Sequence, residues 1–351
     1  MMEAYPGMDA KTEKIFRNKV SWYSFVLCIL VVCIHAQNMY IFTEPVKWIN
    51  LSLSFFIERI ACFAVPGFFM CSAFLFYRNI SWNAIAGKLK RRFFRLVLPF
   101  FLWNFIYYMV NLGARKVPYL EHLFNTPVSF DFRELFAAVV LYKYNPVFWF
   151  MMYLILFSFL SPLLYLLLRN KWTGICTLAF VLLFNFNVIR IPFLPAEAAD
   201  IINWSLYYLI GCFAALHLKE AAVPEKKAAP ILVLSAGLCV SFVLAYVCGS
   251  NNWTYIYKSC GALLIWFLIW NFRLPDVKAW MKNTFFIYAV HQMLALFINK
   301  IANVFLGNSM YAGIVVFLAI PVIVVVFCCY FGRLLSKYAP PVWKALSGAR
   351  D

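Results

Sequence analysis

The stretch "SWYSFVLCILVVCIHAQNMYIF", residues 21 to 42, decides the class of fold. Its side chains are mostly apolar, and its length exceeds the ~20 residues with which an α-helix crosses the hydrocarbon core of a bilayer. The stretch therefore predicts a membrane-spanning helix. His35 interrupts the apolar run, and a neutral imidazole in hydrocarbon needs a hydrogen-bond partner because burying a polar group without one costs roughly 2–7 kcal/mol.

The composition of the whole chain extends this prediction. Of the 351 residues, 65% are hydrophobic and only 13% are charged, against about 25% charged in soluble domains. Similar apolar runs recur along the chain, which predicts a single polytopic integral-membrane domain of all-α class with membrane lipid as its surroundings. The net charge of +17 is then an indication of topology and not of a nucleic-acid partner.

About ten transmembrane helices are expected from apolar runs that charge, proline or asparagine clusters bound. The predicted ranges are 21–42, 51–77, 93–112, 147–168, 172–190, 200–217, 230–248, 253–271, 283–300 and 309–334. An even number places both termini on one side of the membrane.

Basic residues concentrate on the side that holds the termini, most densely between the second and third predicted helices. The six basic residues there are Arg78, Lys88, Lys90, Arg91, Arg92 and Arg95. Because lysine and arginine collect on the cytoplasmic side, both termini are predicted to be cytoplasmic. The chain then divides into a basic N-terminal segment (1–20), a transmembrane domain (21–335) and a cytoplasmic tail (336–351).

The longest predicted external loop, about 113 to 146, contains "FDFRELFAAVVLY" at 130–142. Its apolar spacing predicts a short amphipathic helix on the membrane surface. Two interpretations stand side by side: a lid over an external site, and a connector packed on the bundle.

Three ionisable residues are expected at one depth in adjacent helices. His35 lies about seven residues from the external end of the first predicted helix, roughly 10 Å deep, and Glu58 and Arg59 lie about eight residues from the same surface in the second. Intramembrane charges usually face the bundle interior or a water-filled cavity. Arg59 facing His35 would keep the imidazole neutral, which is the form that a general base needs; a buried structural pair is the alternative.

Two further segments carry candidate site residues. "NTFFIYAVHQMLALFI" places His291 and Gln292 near the bilayer midplane, where they line the same passage or form a helix–helix hydrogen bond. "KLKRRFFRLVLPFFLW" (88–103) gathers Lys88, Arg91, Arg92 and Arg95 at a cytoplasmic helix end. This basic cluster is a lipid and topology anchor or a phosphate-binding mouth for a cytosolic cofactor.

Several classes of site are excluded by their missing motifs. The sequence contains no GxSxG, Walker A or HExxH pattern. No motif therefore supports a classical hydrolase, a P-loop nucleotide hydrolase or a zinc protease. The eleven cysteines are scattered without a CxxC pair. They are expected to be small buried hydrophobic residues, and no metal is predicted.

The order of motifs resembles acyltransferase family 3, the polytopic membrane acyltransferases that include bacterial sugar and peptidoglycan O-acetyltransferases. The matching pieces follow the family's order: "ILVVCIH", "ERIACFAVPGFFMCSAFLF", "KLKRRFFRLVLPFFLW", "FWFMMYLILFSFLSPLLY", "YYLIGCFAAL" and "TFFIYAVHQML". Each piece by itself is a weak match to the family, but six pieces in the family's order are a specific one.

The resemblance implies ten spanning helices and a location in a bacterial inner membrane. It also implies an acyl-CoA donor, usually acetyl-CoA, and a hydroxyl acceptor on an extracytoplasmic glycan or glycolipid. His35 falls on the family's catalytic histidine, Arg59 on its helix-two arginine and His291 on a late histidine. Family members commonly carry an arginine eleven positions before the first histidine; here Ser24 stands there, so Lys19 or Arg17 would have to replace it, or the donor mode differs.

The favoured interpretation is an O-acyltransferase with His35 as general base, Arg59 and Glu58 beside it, and Trp149 and Phe148 stacking on an acceptor sugar. A transporter or flippase for a polysaccharide or lipid-linked sugar is the rival from another class, with the same charges lining a conduit. A sensing or binding module that keeps the fold without catalysis is the second rival.

Overall fold

The computed structural model describes residues 9–114, 116, 128–225 and 227–348, and within these ranges the chain is helical with one isolated bridge between Glu44 and Ser309. The α-helices are α1 Ala10–His35, α2 Lys47–Arg59, α3 Ala64–Tyr77, α4 Ile85–Arg92, α5 Leu98–Ala114, α6 Phe132–Val139, α7 Trp149–Phe159, α8 Ser161–Leu168, α9 Lys171–Asn185, α10 Ala196–His217, α11 Ala228–Phe242, α12 Thr254–Asn271, α13 Thr284–Leu306, α14 Met310–Tyr338 and α15 Pro340–Leu346. Two π-helical turns, Phe93–Val97 and Val243–Val247, adjoin α5 and α11.

Seven helical segments of the described chain are long and apolar enough to cross a bilayer, which confirms the membrane helical bundle. They are Ala10–His35, Lys47–Tyr77, Trp82–Ala114, Ala196–His217, Ala228–Val247, Thr284–Leu306 and Met310–Tyr338. The helices at 146–168, bent by 65°, would make an eighth. Each of the ten predicted segments overlaps a helix, but the count of ten and the cytoplasmic termini stay predictions.

The ends of the first helix differ from the prediction. The helix begins at Ala10 because the carboxylate of Asp9 accepts the Thr12 N–H at 2.6 Å, as an N-cap does. This hydrogen bond lowers the pKa of Asp9. The helix ends at His35 and not at 42, so His35 is a terminal residue of the helix and not an interior one.

The chain forms two compact units. The first unit comprises Met1–Leu30, Glu58–Lys88 and Phe157–Lys282, and the second comprises Val31–Ile57, Leu89–Leu156 and Asn283–Asp351.

In the first unit, glycines let helix backbones approach closely. A Cβ on Gly211 of α10 would lie 2.2 Å from the carbonyl oxygen of Met70 in α3, and one on Gly261 of α12 would lie 2.3 Å from the Phe63 ring. Small residues at helix contacts are a typical source of packing between membrane helices. The Lys19 amine donates to the carbonyls of Ile269 and Phe272, at 2.8 and 2.6 Å, and thereby caps the C-terminus of α12.

In the second unit, the C-terminal helix α15 is tied to α5 and α13. The Trp103 indole donates to the Leu346 carbonyl at 3.0 Å, and the rings of Phe286 and Trp343 lie 5.1 Å apart. The C-terminal residues from 340 to 346 are therefore a packed helix and not an open tail.

The amphipathic helix expected within 130–142 is present as α6. Its N-cap is Asp131, whose carboxylate accepts the Glu134 N–H at 2.8 Å. Lys143 and Tyr144 donate to the Glu134 carboxylate, and these bonds lower its pKa. Asn104 of α5 donates to the last carbonyl of α6, at Val139. This contact favours the packed connector over the lid for the part of the loop that the structure describes.

Candidate active site

The two intramembrane histidines that the sequence singled out meet in the second unit. The ring centroids of His35, at the end of α1, and His291, on α13, lie 4.9 Å apart, with an interplanar angle of 64°. His35 is partly exposed, whereas His291 is fully buried. The pair therefore joins one partly exposed residue to one fully buried residue.

The orientation of His291 is fixed by its own helix. Its Nδ1 lies 2.6 Å from the Tyr288 carbonyl oxygen. Because a carbonyl only accepts, Nδ1 carries the proton of the neutral ring and Nε2 keeps a lone pair. Nε2 is buried and has no hydrogen-bond partner among the described residues, and the same holds for Oε1 of the neighbouring Gln292. Buried polar atoms without partners are uncommon in native proteins, and a role in binding or catalysis is one physical reason for keeping them.

A column of aromatic rings supports this histidine. The Tyr288 ring lies 5.8 Å from His291 and 5.5 Å from Phe148, and its hydroxyl donates to the Val147 carbonyl at 2.6 Å. Phe148 is fully buried in this stack, so the expectation that it stacks on a sugar is wrong for this structure. Trp149 is only partly buried and keeps its candidate role beside Tyr153, whose ring lies 5.3 Å away.

Helix α1 ends at His35 because two buried asparagine side chains form hydrogen bonds that hold the following residues in a non-helical conformation. Asn299 of α13 donates to the Ala36 carbonyl at 3.2 Å. Asn38 donates to the Asn299 side-chain oxygen at 3.0 Å and to the Gly313 carbonyl at 2.8 Å. Both asparagines are fully buried, and non-helical backbone at membrane depth is tolerated where protein surrounds it.

This asparagine clamp, formed by Asn38 and Asn299, also holds the segment after His35 against α13. The segment after His35 runs along α13, because Asn303 donates to the Ile41 carbonyl at 3.2 Å. The helical rise between His291 and Asn303 is about 18 Å. The histidine pair therefore lies about 18 Å along α13 from the level of Asn303. Neither asparagine was singled out from sequence; their polarity inside apolar runs was the available signal.

The helix end gives His35 a favourable electrostatic position. The C-terminus of an α-helix carries a partial negative charge of roughly half an elementary charge. His35 is the last residue of α1, so the helix end reduces the cost of a positive charge on its ring. A ring that accepts a proton during a reaction gains from this placement.

Glu58 and Arg59 lie in the first unit and contact each other. The Arg59 Nη1 lies 3.1 Å from the Glu58 Oε2, and its guanidinium carbon lies 3.6 Å from the centre of the Tyr246 ring. The Tyr257 hydroxyl donates to the Arg59 carbonyl at 2.6 Å. Arg59 thus has a structural role within its unit, and its contact with His35 stays a prediction.

The basic cluster separates into a structural lysine and more accessible arginines. Lys88 is buried, and its amine donates to the carbonyls of Phe76 and Arg78, at 2.7 and 2.5 Å, at the C-terminal end of α3. Arg91 is exposed, and Arg92 and Arg95 are partly exposed. The structure therefore favours the arginines over Lys88 as phosphate ligands.

The residues offered as replacements for the missing arginine at Ser24 are engaged elsewhere in the first unit. The Lys19 amine binds the two carbonyls at the end of α12, and Arg17 forms a 2.7 Å ion pair with Glu13. Ser24 is partly buried in α1. A donor contact from Lys19 would have to break this helix cap.

The described residues contain no group of three or more His, Cys, Asp or Glu side chains placed to hold a metal ion. The eleven cysteines are free thiols, and Cys33, near His35, is buried.

Comparison with known proteins identifies the family. The family profile described as "Acyltransferase domain", of acyltransferase family 3, matches residues 25–333, which is most of the chain. No protein of curated function and no solved structure matches. The chain belongs to acyltransferase family 3, and the resemblance stated from its motifs is confirmed.

Proposed function

We propose that this membrane acyltransferase moves an acyl group, usually acetyl, from cytosolic acyl-CoA to a hydroxyl of an extracytoplasmic glycan or glycolipid. The single observation that carries the proposal is the contact between His35 and His291, with ring centroids 4.9 Å apart in a chain of this family. A bacterial inner membrane is the proposed location, because it separates cytosolic donor from external acceptor.

His35 acts as the general base. Its ring takes the proton of the acceptor hydroxyl while the hydroxyl oxygen attacks the thioester carbonyl carbon. The tetrahedral intermediate then expels the CoA thiolate, which receives the proton from the imidazolium and leaves as free thiol. The negative end of α1 favours the transient positive charge, and general-base catalysis of this kind contributes about 10²–10⁴ in rate.

His291 and Gln292 position the reacting groups. The lone pair on His291 Nε2 has no hydrogen-bond partner among the described residues, so it is available to accept a hydrogen bond from the acceptor hydroxyl. Gln292 supplies a second acceptor through its buried Oε1. Enzymes that activate a nucleophile with a general base usually have a further group that orients the base.

Donor and acceptor contacts follow from exposure and charge. Arg91, Arg92 and Arg95 bind the phosphates of CoA, since guanidinium groups match phosphate oxygens in pairs of hydrogen bonds. Trp149 contributes a ring face to the acceptor sugar. Arg59 either orients His35 or steadies the developing negative charge, a role in which losing one donor costs about 10²–10³ in rate.

The test is transfer of radiolabel from acetyl-CoA to a glycan extract in proteoliposomes. His35→Ala and His291→Ala are expected to lower transfer by at least about 10², and Arg59→Ala tests the untested contact in the same assay. His217→Ala is the matched control, because His217 contacts the Leu168 carbonyl in the first unit and has no proposed part in the reaction.

Two further results decide the outcome. The native protein is expected to gain thermal stability with CoA, and Arg95→Gln is expected to reduce that gain. If the native protein neither transfers label nor responds to CoA, the enzyme proposal is refuted. If His35→Ala transfers label as well as His217→Ala does, His35 is not the base.

A further inference from the structure

A cavity of about 80 Å³ lies in the first unit and has no part in the histidine site. Residues of α1, α3, α10 and α12 line it, together with the short helical turn at Lys219–Ala222. Phe16, Tyr23 and Trp266 form an aromatic wall, with ring centroids 6.1 Å apart for Phe16–Trp266 and 5.4 Å apart for Tyr23–Trp266. Gly211, which has no side chain, and Ala214, which has only a methyl group, complete the lining on the α10 side.

The polar groups of the aromatic wall already form hydrogen bonds within the protein. The Tyr23 hydroxyl donates to the Ala262 carbonyl and the Trp266 indole N–H donates to the Ala221 carbonyl, both at 2.9 Å. A polar ligand would therefore lose its hydration without gaining these hydrogen bonds. Apolar cavities of comparable kind take apolar ligands, so the lining selects a hydrocarbon.

The wall next to α3 is rigid, because Gly211 brings α10 against the α3 backbone at Met70. Side chains cannot rearrange where two backbones touch, so this wall keeps its shape. A cavity of only about 80 Å³ with a fixed backbone wall suits a linear alkyl chain better than a bulkier branched or ring-shaped group.

Positively charged side chains lie near Phe16, at one side of the cavity. The Arg78 guanidinium lies 4.6 Å from the centre of the Phe16 ring and forms an ion pair with Glu13. Arg17 pairs with the same carboxylate at 2.7 Å, so two positive charges share one negative charge. Lys19 adds a further positive charge on this part of α1. The net positive charge attracts an anionic headgroup.

We propose that this cavity binds the alkyl chain of an anionic amphiphile, whose phosphate lies near Arg17 and Arg78. Two sources share this chemistry: an anionic phospholipid of the bilayer and a long-chain acyl-CoA. The site is independent of the proposed catalysis, and its test does not use transfer activity.

The experiment is photolabelling of the purified full chain in nanodiscs with three probes that carry a diazirine in one alkyl chain. The probes are phosphatidylglycerol, palmitoyl-CoA and phosphatidylcholine. One anionic probe is expected to label peptides that line the cavity, and the probe that does so identifies the source. Phosphatidylcholine is expected to label these peptides at least about fivefold less, the effect of roughly 1 kcal/mol of headgroup attraction.

Variants distinguish the cavity from general lipid contact. Ala214→Leu and Leu75→Phe fill the lining from two helices and are expected to lower the labelling at least about tenfold. Arg17→Gln removes one positive charge and is expected to lower labelling by anionic probes about fivefold. The matched controls are Ala229→Leu, at an exposed position of α11 outside the lining, and Lys14→Gln, at an exposed lysine of α1.

The folded state of each variant is checked by size-exclusion profile and thermal stability, and the use of two filling variants keeps the test valid if one does not fold. Labelling that is equal for all three probes, or that the filling variants leave unchanged, overturns the proposal. Labelling confined to exposed helix faces overturns it as well.

Discussion

Replacing Asn299 with leucine is expected to loosen the histidine site from a position two turns away. The substitution removes the donor to the Ala36 carbonyl and the acceptor for the Asn38 amide. The Asn38 amide keeps the Gly313 carbonyl, whereas the Ala36 carbonyl loses the side-chain donor. An orphaned buried group costs about 1–3 kcal/mol, and a lost hydrogen bond between membrane helices averages about 0.6 kcal/mol.

The expected loss in free energy of unfolding is therefore about 2–4 kcal/mol, measured by unfolding the protein in mixed micelles with increasing SDS. Asn111→Leu is the matched control. Asn111 is also a buried asparagine of the second unit, but among the described residues its amide donates to the Tyr107 carbonyl, one turn back in its own helix. Its loss is expected to stay below about 1 kcal/mol, the usual range for a single local contact.

A double-mutant cycle between Asn38→Leu and Asn299→Leu isolates their mutual bond. The expected coupling is about 0.6 kcal/mol and at most about 1.7 kcal/mol. On the proposed mechanism, Asn299→Leu also lowers the transfer rate, since a shift of 1 Å in a reacting group can cost about 10². A coupling of zero, together with a transfer rate equal to that of Asn111→Leu, would refute the role of the clamp.

Three further predictions concern packing, capping and pH. Gly211→Ala is expected to destabilise the protein by about 1–3 kcal/mol in SDS unfolding, because the new Cβ meets the Met70 carbonyl. Gly113→Ala, whose Cβ would meet no atom of the described residues within 4 Å, should be neutral or slightly stabilising, and equal effects would contradict this. Lys88→Met is expected to cost about 1–3 kcal/mol, since two carbonyls at the C-terminal end of α3 lose their donor; an unchanged midpoint of SDS unfolding would argue against the cap. The hydrogen bonds from Lys143 and Tyr144 hold the pKa of Glu134 below its usual value of 4.5. The stability that this carboxylate contributes is therefore present above that value and fades as the pH falls through the lower folded pKa. The melting-temperature difference between the native protein and Glu134→Gln should therefore be largest near neutral pH and shrink in acid, and a constant difference would contradict this.

Sequence periodicity and composition determined the membrane helical bundle, because hydrocarbon demands long apolar helices wherever the chain crosses it. The same reasoning located the short helix α6, since its Asp131 cap and apolar spacing are local features. The motif order determined the family, which the match over residues 25–333 confirms. His35 and His291 were also identifiable from sequence, because a histidine inside an apolar run is rare and costly.

The partnership of these residues was decided by tertiary structure. The sequence linked His35 to Arg59 on the basis of depth in neighbouring helices, whereas the structure places it beside His291 from a distant helix. Periodicity also extended the first helix to residue 42. That helix ends at His35 because Asn299 and Gly313, far along the chain, offer hydrogen bonds that only the folded backbone brings within reach. A local sequence pattern shows that a polar group will be buried and will need a hydrogen-bond partner. Which group far along the chain becomes that partner depends on how the helices pack.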